Sequence, residues 1–196
     1  QVKDTRVRAR LHRCVHALCH WSEALAYADF LPGFALPIVR FFGRDEHAAL
    51  EACIMLIKNW ASSWFDYWPA PPLHIVSAAE RLIFLHDPPV VKHMITLGLS
   101  ASDYLWPVLS TLFSQVTDMA TWMSIIDKLL VSPAQMAIYL LAAFAVHMRG
   151  ALLSIDDASH ITTYFTSRIH AVDLHSLFFI AGKMQETARQ KNLFAL

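Results

Sequence analysis

His12, His16 and His20 recur at intervals of four, so a helix through them would carry three imidazoles along one face. Histidine pairs at that spacing bind zinc on helices. A ligating imidazole normally hands its second N–H to a carboxylate or carbonyl, and no Asp or Glu neighbours this triplet in sequence. The residues therefore predict no metal centre. The same segment holds Lys3, Arg6, Arg8, Arg10 and Arg13 with Asp4 as its one acid. A cationic run of this kind forms either a solvated face or a docking face for an acidic partner, with Arg6, Arg8 and Arg10 the candidates. Of the other histidines, His86, His93, His147, His160, His170 and His175 are spread over several segments. Asp156 and Asp157 stand at a helix start, where the backbone dipole accounts for paired acids. The five glycines lie far apart, which leaves no phosphate-cradling loop, and H-E-x-x-H and G-x-S-x-G are both absent. No spacing assembles a self-contained catalytic site, and none calls for a cofactor.

The totals narrow the classes further. The chain has 196 residues, 56% apolar and 12% aromatic, with zero formal net charge. That is enough for a substantial core and too apolar for disorder. Neutral balance argues against nucleic acid as the principal partner, because phosphate neutralisation needs a cationic excess. The longest apolar run, residues 136–146, is closed by His147 and Arg149 and falls short of the roughly 20 residues that span a bilayer. It predicts a helix buried on all sides. The first dozen residues are basic and polar, unlike a signal peptide. Cys14, Cys19 and Cys53 are an odd number without paired-knuckle spacing, which fits a reduced, cytoplasmic protein.

The elements that must position these residues are all helices. Residues 3–20 place Val7, Leu11, Cys14, Val15 and Leu18 on one side. Pro32-Gly33 signals a turn and Pro37 a new helix near it. Asp45 caps a long helix to Trp60, with Leu50, Ile54, Leu56 and Ile57 inward. Trp60, Trp64, Phe65, Tyr67 and Trp68 then form an aromatic cluster, either core packing or an exposed partner site, before the prolines at 69–72. Helices follow over 73–86 and 90–97, with Asp87-Pro88 capping the second and Gly98 stopping it. Ser100-x-x-Asp103 is a capping box. Residues 104–132 predict two helices with a polar break at 114–118 and Pro107 in the first turn of the first. A buried helix runs from Ser132-Pro133 to Gly150, Ser154-x-x-Asp157 opens another, and a last one spans 172–190. No strand alternation occurs anywhere, and the fold class is all-α.

Two segments carry a resemblance. Y-L-W-P-V-L-S-T-L-F, a short break and W-M-S-I-I-D-K-L-L, with Trp106, Phe113, Trp122 and Asp127 as key positions, resemble the C-terminal half of a TBC domain, the module of Rab GTPase-activating proteins. L-I-F-L-H-D-P-P-V-V-K-H-M-I-T-L-G-L at 82–99 is similar to the preceding part of that family. H-W-S at 20–22, F-L-P-G-F-A-L-P-I-V-R-F-F at 30–42 and N-W-A-S-S-W-F-D-Y-W-P-A-P-P at 59–72 are most similar to members combining WD repeats, a TBC domain and a coiled coil. Such members work at centriolar satellites and ciliary bases. The resemblance implies one TBC-like domain, with 1–43 the remnant of a finger-bearing lobe and 44–196 the C-terminal helical lobe.

Active TBC domains use an arginine from I-x-x-D-x-x-R and a glutamine from Y-x-Q-G. The resemblance places Phe30-Leu31-Pro32-Gly33 at the second motif, with proline where the glutamine would stand, and the first motif is absent from these residues. It implies a catalytically degenerate, Rab-GAP-like interaction module without cofactor or metal. Its partners would be a Rab-type small GTPase and other centrosomal or ciliary proteins. Two alternatives stay open: an active GTPase-activating domain whose arginine lies upstream of residue 1, and an unrelated helical-repeat scaffold.

Overall fold

A computed structural model describes residues 4–64, 67, 70–167 and 169–191. Among these residues there are twelve α-helices and no strand. They fall into two compact units, Gln1–Pro72 and Leu73–Leu196.

The first unit is built from α1 (Thr5–Trp21), α2 (Leu31–Phe42) and α3 (Glu46–Leu56), each packed on the other two. Asp4 opens α1 by accepting the amides of Arg6 and Val7, and Val7, Cys14 and Leu18 are its buried stripe. Leu11 and Val15, expected inside, sit half-buried at its edges. Pro32-Gly33 is not a turn but the first turn of α2, where a missing N–H leaves no hydrogen bond unmade. Pro37 lies inside the same helix rather than opening a new one. The bond it cannot give to the Gly33 carbonyl is outweighed by burial, since Leu31, Phe34, Ala35, Pro37, Ile38 and Val39 all face inward. Asp45 caps α3 through the Ala48 amide, as the sequence predicts. The helix stops at Leu56, however, and continues as a π turn (Ile57–Ala61) and a 3-10 turn (Ser62–Trp64). Of the expected face, Leu56 and Ile57 are buried, whereas Leu50 and Ile54 are half-buried and Ala49 and Cys53 take the inward places. Of the aromatic cluster, Trp64 is buried with its ring edge-on to Phe34 at 6.2 Å, whereas Tyr67 is exposed. Phe65 and Trp68 lie outside the described residues.

In the second unit α4 (Leu73–His86), α5 (Pro88–Thr96), α6 (Ala101–Tyr104) and α7 (Trp106–Ser110) lead into α8 (Met119–Leu130). Then come α9 (Met136–His147), α10 (Arg149–Leu152), α11 (Ala158–Ser167) and α12 (Leu174–Gln190). The apolar run forms α9, which packs against α4, α7, α10 and α12; nine of its twelve residues are buried. No helix among the described residues is long and apolar enough to cross a membrane. Helix α9 ends at His147, and Gly150 belongs to α10 instead of terminating it. Asp157, not Ser154, caps α11 by accepting from the amides of Ser159 and His160. Asp87 makes no side-chain cap bond; Arg149 Nε donates to its carboxylate at 2.7 Å, tying the α4–α5 corner to α10.

The first of the two helices expected over 104–132, running up to the break at 114–118, is much shorter. It stops at Ser110, and Leu112 and Phe113 turn left-handed at φ 48° and 66°. The Phe113 amide donates to the Val108 carbonyl at 2.8 Å and the Leu112 amide to Leu109 at 2.9 Å, the bond pair of a Schellman C-cap. Gly98 ends α5 by the same device, its amide on Ile95 and that of Leu99 on Met94. At the end of α7 two apolar residues take the strained place of glycine because both side chains are buried.

Candidate functional site

The first turn of α2 holds Phe30, Leu31, Pro32 and Gly33. Phe30 occupies the N-cap in helical geometry, the Leu31 amide donates to Ala28 at 3.2 Å and the Phe34 amide to Phe30 at 3.0 Å. Leu31 and Phe34 point inward at 1% and 0% exposure, so the residue between them and nearest the start, Pro32, is held outward and exposed. Its pyrrolidine ring presents neither an amide N–H nor a side-chain donor to a water molecule. The turn is therefore a rigid, apolar knob. Gln115 and Gln135 both belong to the second unit, exposed in the loop before α8 and at the N-cap of α9.

The three arginines of α1 do not share one face. Arg6 and Arg10 are one turn apart, whereas Arg8 projects from nearly the opposite side. Arg6 and Arg8 are exposed. Arg10 is half-buried, and its guanidinium donates to the Gly43 carbonyl and, at 3.4 Å, to the Arg6 carbonyl. Arg13 is committed as well: its Nε and Nη2 donate to the Glu46 carboxylate at 2.8 and 2.5 Å, a bidentate pair joining α1 to α3. Those bonds hold the Glu46 carboxyl below the usual carboxylate range.

His12, His16 and His20 are exposed and run as a ladder, with ring centroids 5.8 and 4.9 Å apart. Among the described residues no group of three or more His, Cys, Asp or Glu side chains is arranged to hold a metal ion.

Trp106, Phe113, Trp122 and Asp127 all lie in the second unit. Trp106 opens α7 with Pro107 beside it, half-buried. Phe113 is fully buried and packs edge-on to Phe144 of α9 at 6.0 Å. Trp122 is buried on the inner side of α8, while Asp127 is exposed on its outer side. Three of the four thus work through packing.

Several polar pairings escaped the sequence because their partners are far apart in the chain. Tyr104 donates its hydroxyl to Glu80 at 3.0 Å, and burial first, then the Glu80 charge, pushes that phenol well above its ordinary value so that it stays a donor. His170 is buried, with Nε2 at 2.9 Å from the Tyr164 carbonyl and its ring 4.1 Å from that of Tyr164. The Cys14 and Cys53 sulfurs stand 4.0 Å apart between α1 and α3. None of these is a catalytic constellation.

Comparison with known proteins accounts for this arrangement. The sequence profile of the Rab-GTPase-TBC domain family matches residues 1–153. The chain is 29% identical over 167 residues to the TBC1 domain family member 31 of Oryzias latipes, covering 85% of this chain and 16% of that protein. It is 27% identical over 187 residues to the protein of the same name from Xenopus laevis, covering 95% and 17%. To the Homo sapiens protein of that name it is 29% identical over 167 residues, covering 85% and 16%. The chain thus spans about a sixth of the length of the curated relatives it matches. A match over that much of the chain leaves no place for an unrelated helical-repeat scaffold. Matched by that profile over most of its length, the chain belongs to the Rab-GTPase-TBC domain family, in keeping with the all-α architecture of its described residues.

Proposed function

We propose that this TBC domain is catalytically degenerate and serves as a protein-interaction module that engages a Rab-type GTPase without accelerating GTP hydrolysis. The observation that carries this reading is Pro32, exposed at the start of α2 in the segment that resembles Y-x-Q-G. Phosphoryl transfer to water needs a group that orients the nucleophile and cations that neutralise charge spreading over the γ-phosphate oxygens. A proline ring performs neither task. I-x-x-D-x-x-R is also absent from the 196 residues. An arginine finger contributes on the order of 10³–10⁵ in rate, so these 196 residues by themselves would act as a binder before a catalyst. Arg6 and Arg8, exposed on nearly opposite sides of α1, offer one cation each, so a single acidic surface of the partner meets one of them and not both.

Single-turnover GTP hydrolysis across a panel of Rab proteins tests the reading. The expected result is saturable Rab binding with the intrinsic hydrolysis rate unchanged, and binding weakened in one of the single variants Arg6→Glu and Arg8→Glu but not in the other. A rate increase produced by these 196 residues would refute it. A second reading has support in coverage: the chain is about a sixth of its relatives, so an arginine elsewhere in a longer protein could complete an active GTPase-activating domain. Acceleration by the full-length protein alone, lost when that arginine is replaced, would establish the second reading.

The proposal extends to place. The resemblance carried by residues 20–22, 30–42 and 59–72 supports a WD-repeat-bearing cytoplasmic protein of centriolar satellites or the ciliary base, with centrosomal or ciliary proteins as further partners. Imaging the tagged full-length protein against a centriole marker checks it, and a diffuse distribution independent of centrioles would count against it.

A further inference from the structure

We propose that Cys14 and Cys53 form a dithiol site that closes to an intramolecular disulfide on reaction with hydrogen peroxide. The two side chains come from different helices, α1 and α3, and are 39 residues apart in sequence, yet their Sγ atoms lie 4.0 Å from one another as free thiols. A disulfide requires about 2.05 Å between sulfurs, so the closure is roughly 2 Å. Both thiols are enclosed, at 6% and 0% exposure, which leaves each as the other's nearest reaction partner. Cys19, half-buried further along α1, lies on another side of that helix.

The environment divides the labour between the two sulfurs. Cys53 is wholly buried and holds its proton firmly, through its hydrogen bond to Cys14 and then through desolvation. Cys14 is drawn below its ordinary value by the hydrogen bond from Cys53, against burial and the nearby Glu46 carboxylate, which both push it up. Cys14, the one of the two that keeps some exposure, is the sulfur that meets the oxidant, reacting through its thiolate form. Its Sγ attacks one peroxide oxygen, the O–O bond breaks, and the departing hydroxide takes the proton Cys14 released, giving a sulfenic acid and water. The Cys53 sulfur then attacks Sγ of Cys14; the S–O bond breaks, the leaving hydroxide takes the Cys53 proton, and a second water forms. Two thiols are oxidised and one peroxide is reduced to two waters.

The product staples α1 to α3, both of which pack on α2, the helix that carries Pro32. The inference does not depend on the functional reading of that residue.

The 196-residue chain is treated with a few equivalents of hydrogen peroxide, quenched with N-ethylmaleimide, digested without reductant and mapped by mass spectrometry. The expected result is a Cys14–Cys53 linked peptide lighter by two hydrogens, reopened by dithiothreitol, with Cys19 still alkylated. Amide exchange in α1 and α3 should slow in the oxidised protein. In Cys53→Ser, dimedone should trap the Cys14 sulfenic acid and no internal link should form. The wild-type map decides the matter even if that variant misfolds. Recovery of Cys14 and Cys53 as free thiols while Cys19 is oxidised, or links made only through Cys19, would overturn the proposal.

Discussion

Replacing Leu112 by glycine sets two physical terms against each other at one position. Leu112 has φ 48°, a region that costs an L-residue roughly 1–2 kcal/mol, and glycine would release that strain. Its side chain is 1% exposed, and removing a buried leucine side chain costs about 2–5 kcal/mol. Glycine also adds freedom to the unfolded chain, a further ~0.5–1 kcal/mol against the fold. The burial term wins, and Leu112→Gly should destabilise the second unit by about 2–3 kcal/mol although glycine is the usual residue of a Schellman cap. Gly98→Ala is the control. Its φ is 74° and a Cβ there meets nothing within 4 Å, so it isolates the backbone term at about 1 kcal/mol. Because the two compact units can unfold separately, stability is best read locally, from amide exchange in α9 at increasing urea. Were Leu112→Gly as stable as wild type, or less damaging than Gly98→Ala, burial would not be what holds this turn left-handed.

Other outcomes follow from individual contacts. Phe34→Ala should cost about 3–5 kcal/mol and shift Trp64 fluorescence to the red, since the buried Phe34 ring stands 6.2 Å from the Trp64 ring. Arg149→Ala should destabilise the α4–α5 corner by about 1–3 kcal/mol, because Asp87 is only 7% exposed and would lose its cation; α5 amide exchange reports it. Asp157 is held below its ordinary value, chiefly by the Ser159 hydroxyl and then by the His160 and Ser159 amides. A depressed folded-state pKa means its contribution is complete above the unfolded value of about 3.9 and disappears as pH falls through the folded one. Protection at the start of α11, measured against the intrinsic exchange rate at each pH, should therefore fall on acidification from pH 5 to pH 3 in the wild type, and Asp157→Asn should flatten that dependence.

What could be seen in the sequence and what could not separates along one line. Features fixed by neighbours in the chain were legible. Asp45, the Ser100–Asp103 box and Gly98 act within a turn of themselves, and the apolar run of α9 needs no partner to declare that it is buried. Features fixed by distant packing were not. Pro37 looks like a helix start until α1 and α3 are in place to bury its flanks. Leu112 and Phe113 continue a helical period perfectly well, and only the core around Phe144 makes the left-handed turn favourable. Cys14 and Cys53 look unrelated until helices α1 and α3 are packed together.

The same distinction bears on the candidate site. Pro32 was legible because its effect is intrinsic: a ring with no amide is inert toward water wherever the chain puts it. The structure adds that Leu31 and Phe34 are buried to either side, which fixes the first turn of α2 and leaves Pro32 no freedom to yield its place to a neighbour. Pro32→Gln would supply the missing amide on an already rigid turn, yet it would supply only one of the two groups the reaction needs. On the degenerate reading, with no I-x-x-D-x-x-R arginine among these 196 residues to stabilise the γ-phosphate charge, the variant should leave Rab binding unchanged and single-turnover hydrolysis at the intrinsic rate. Acceleration by Pro32→Gln alone would mean that some cation already present, Arg6 or Arg8 among them, is serving as the finger, and the degenerate reading would then reduce to a single substitution.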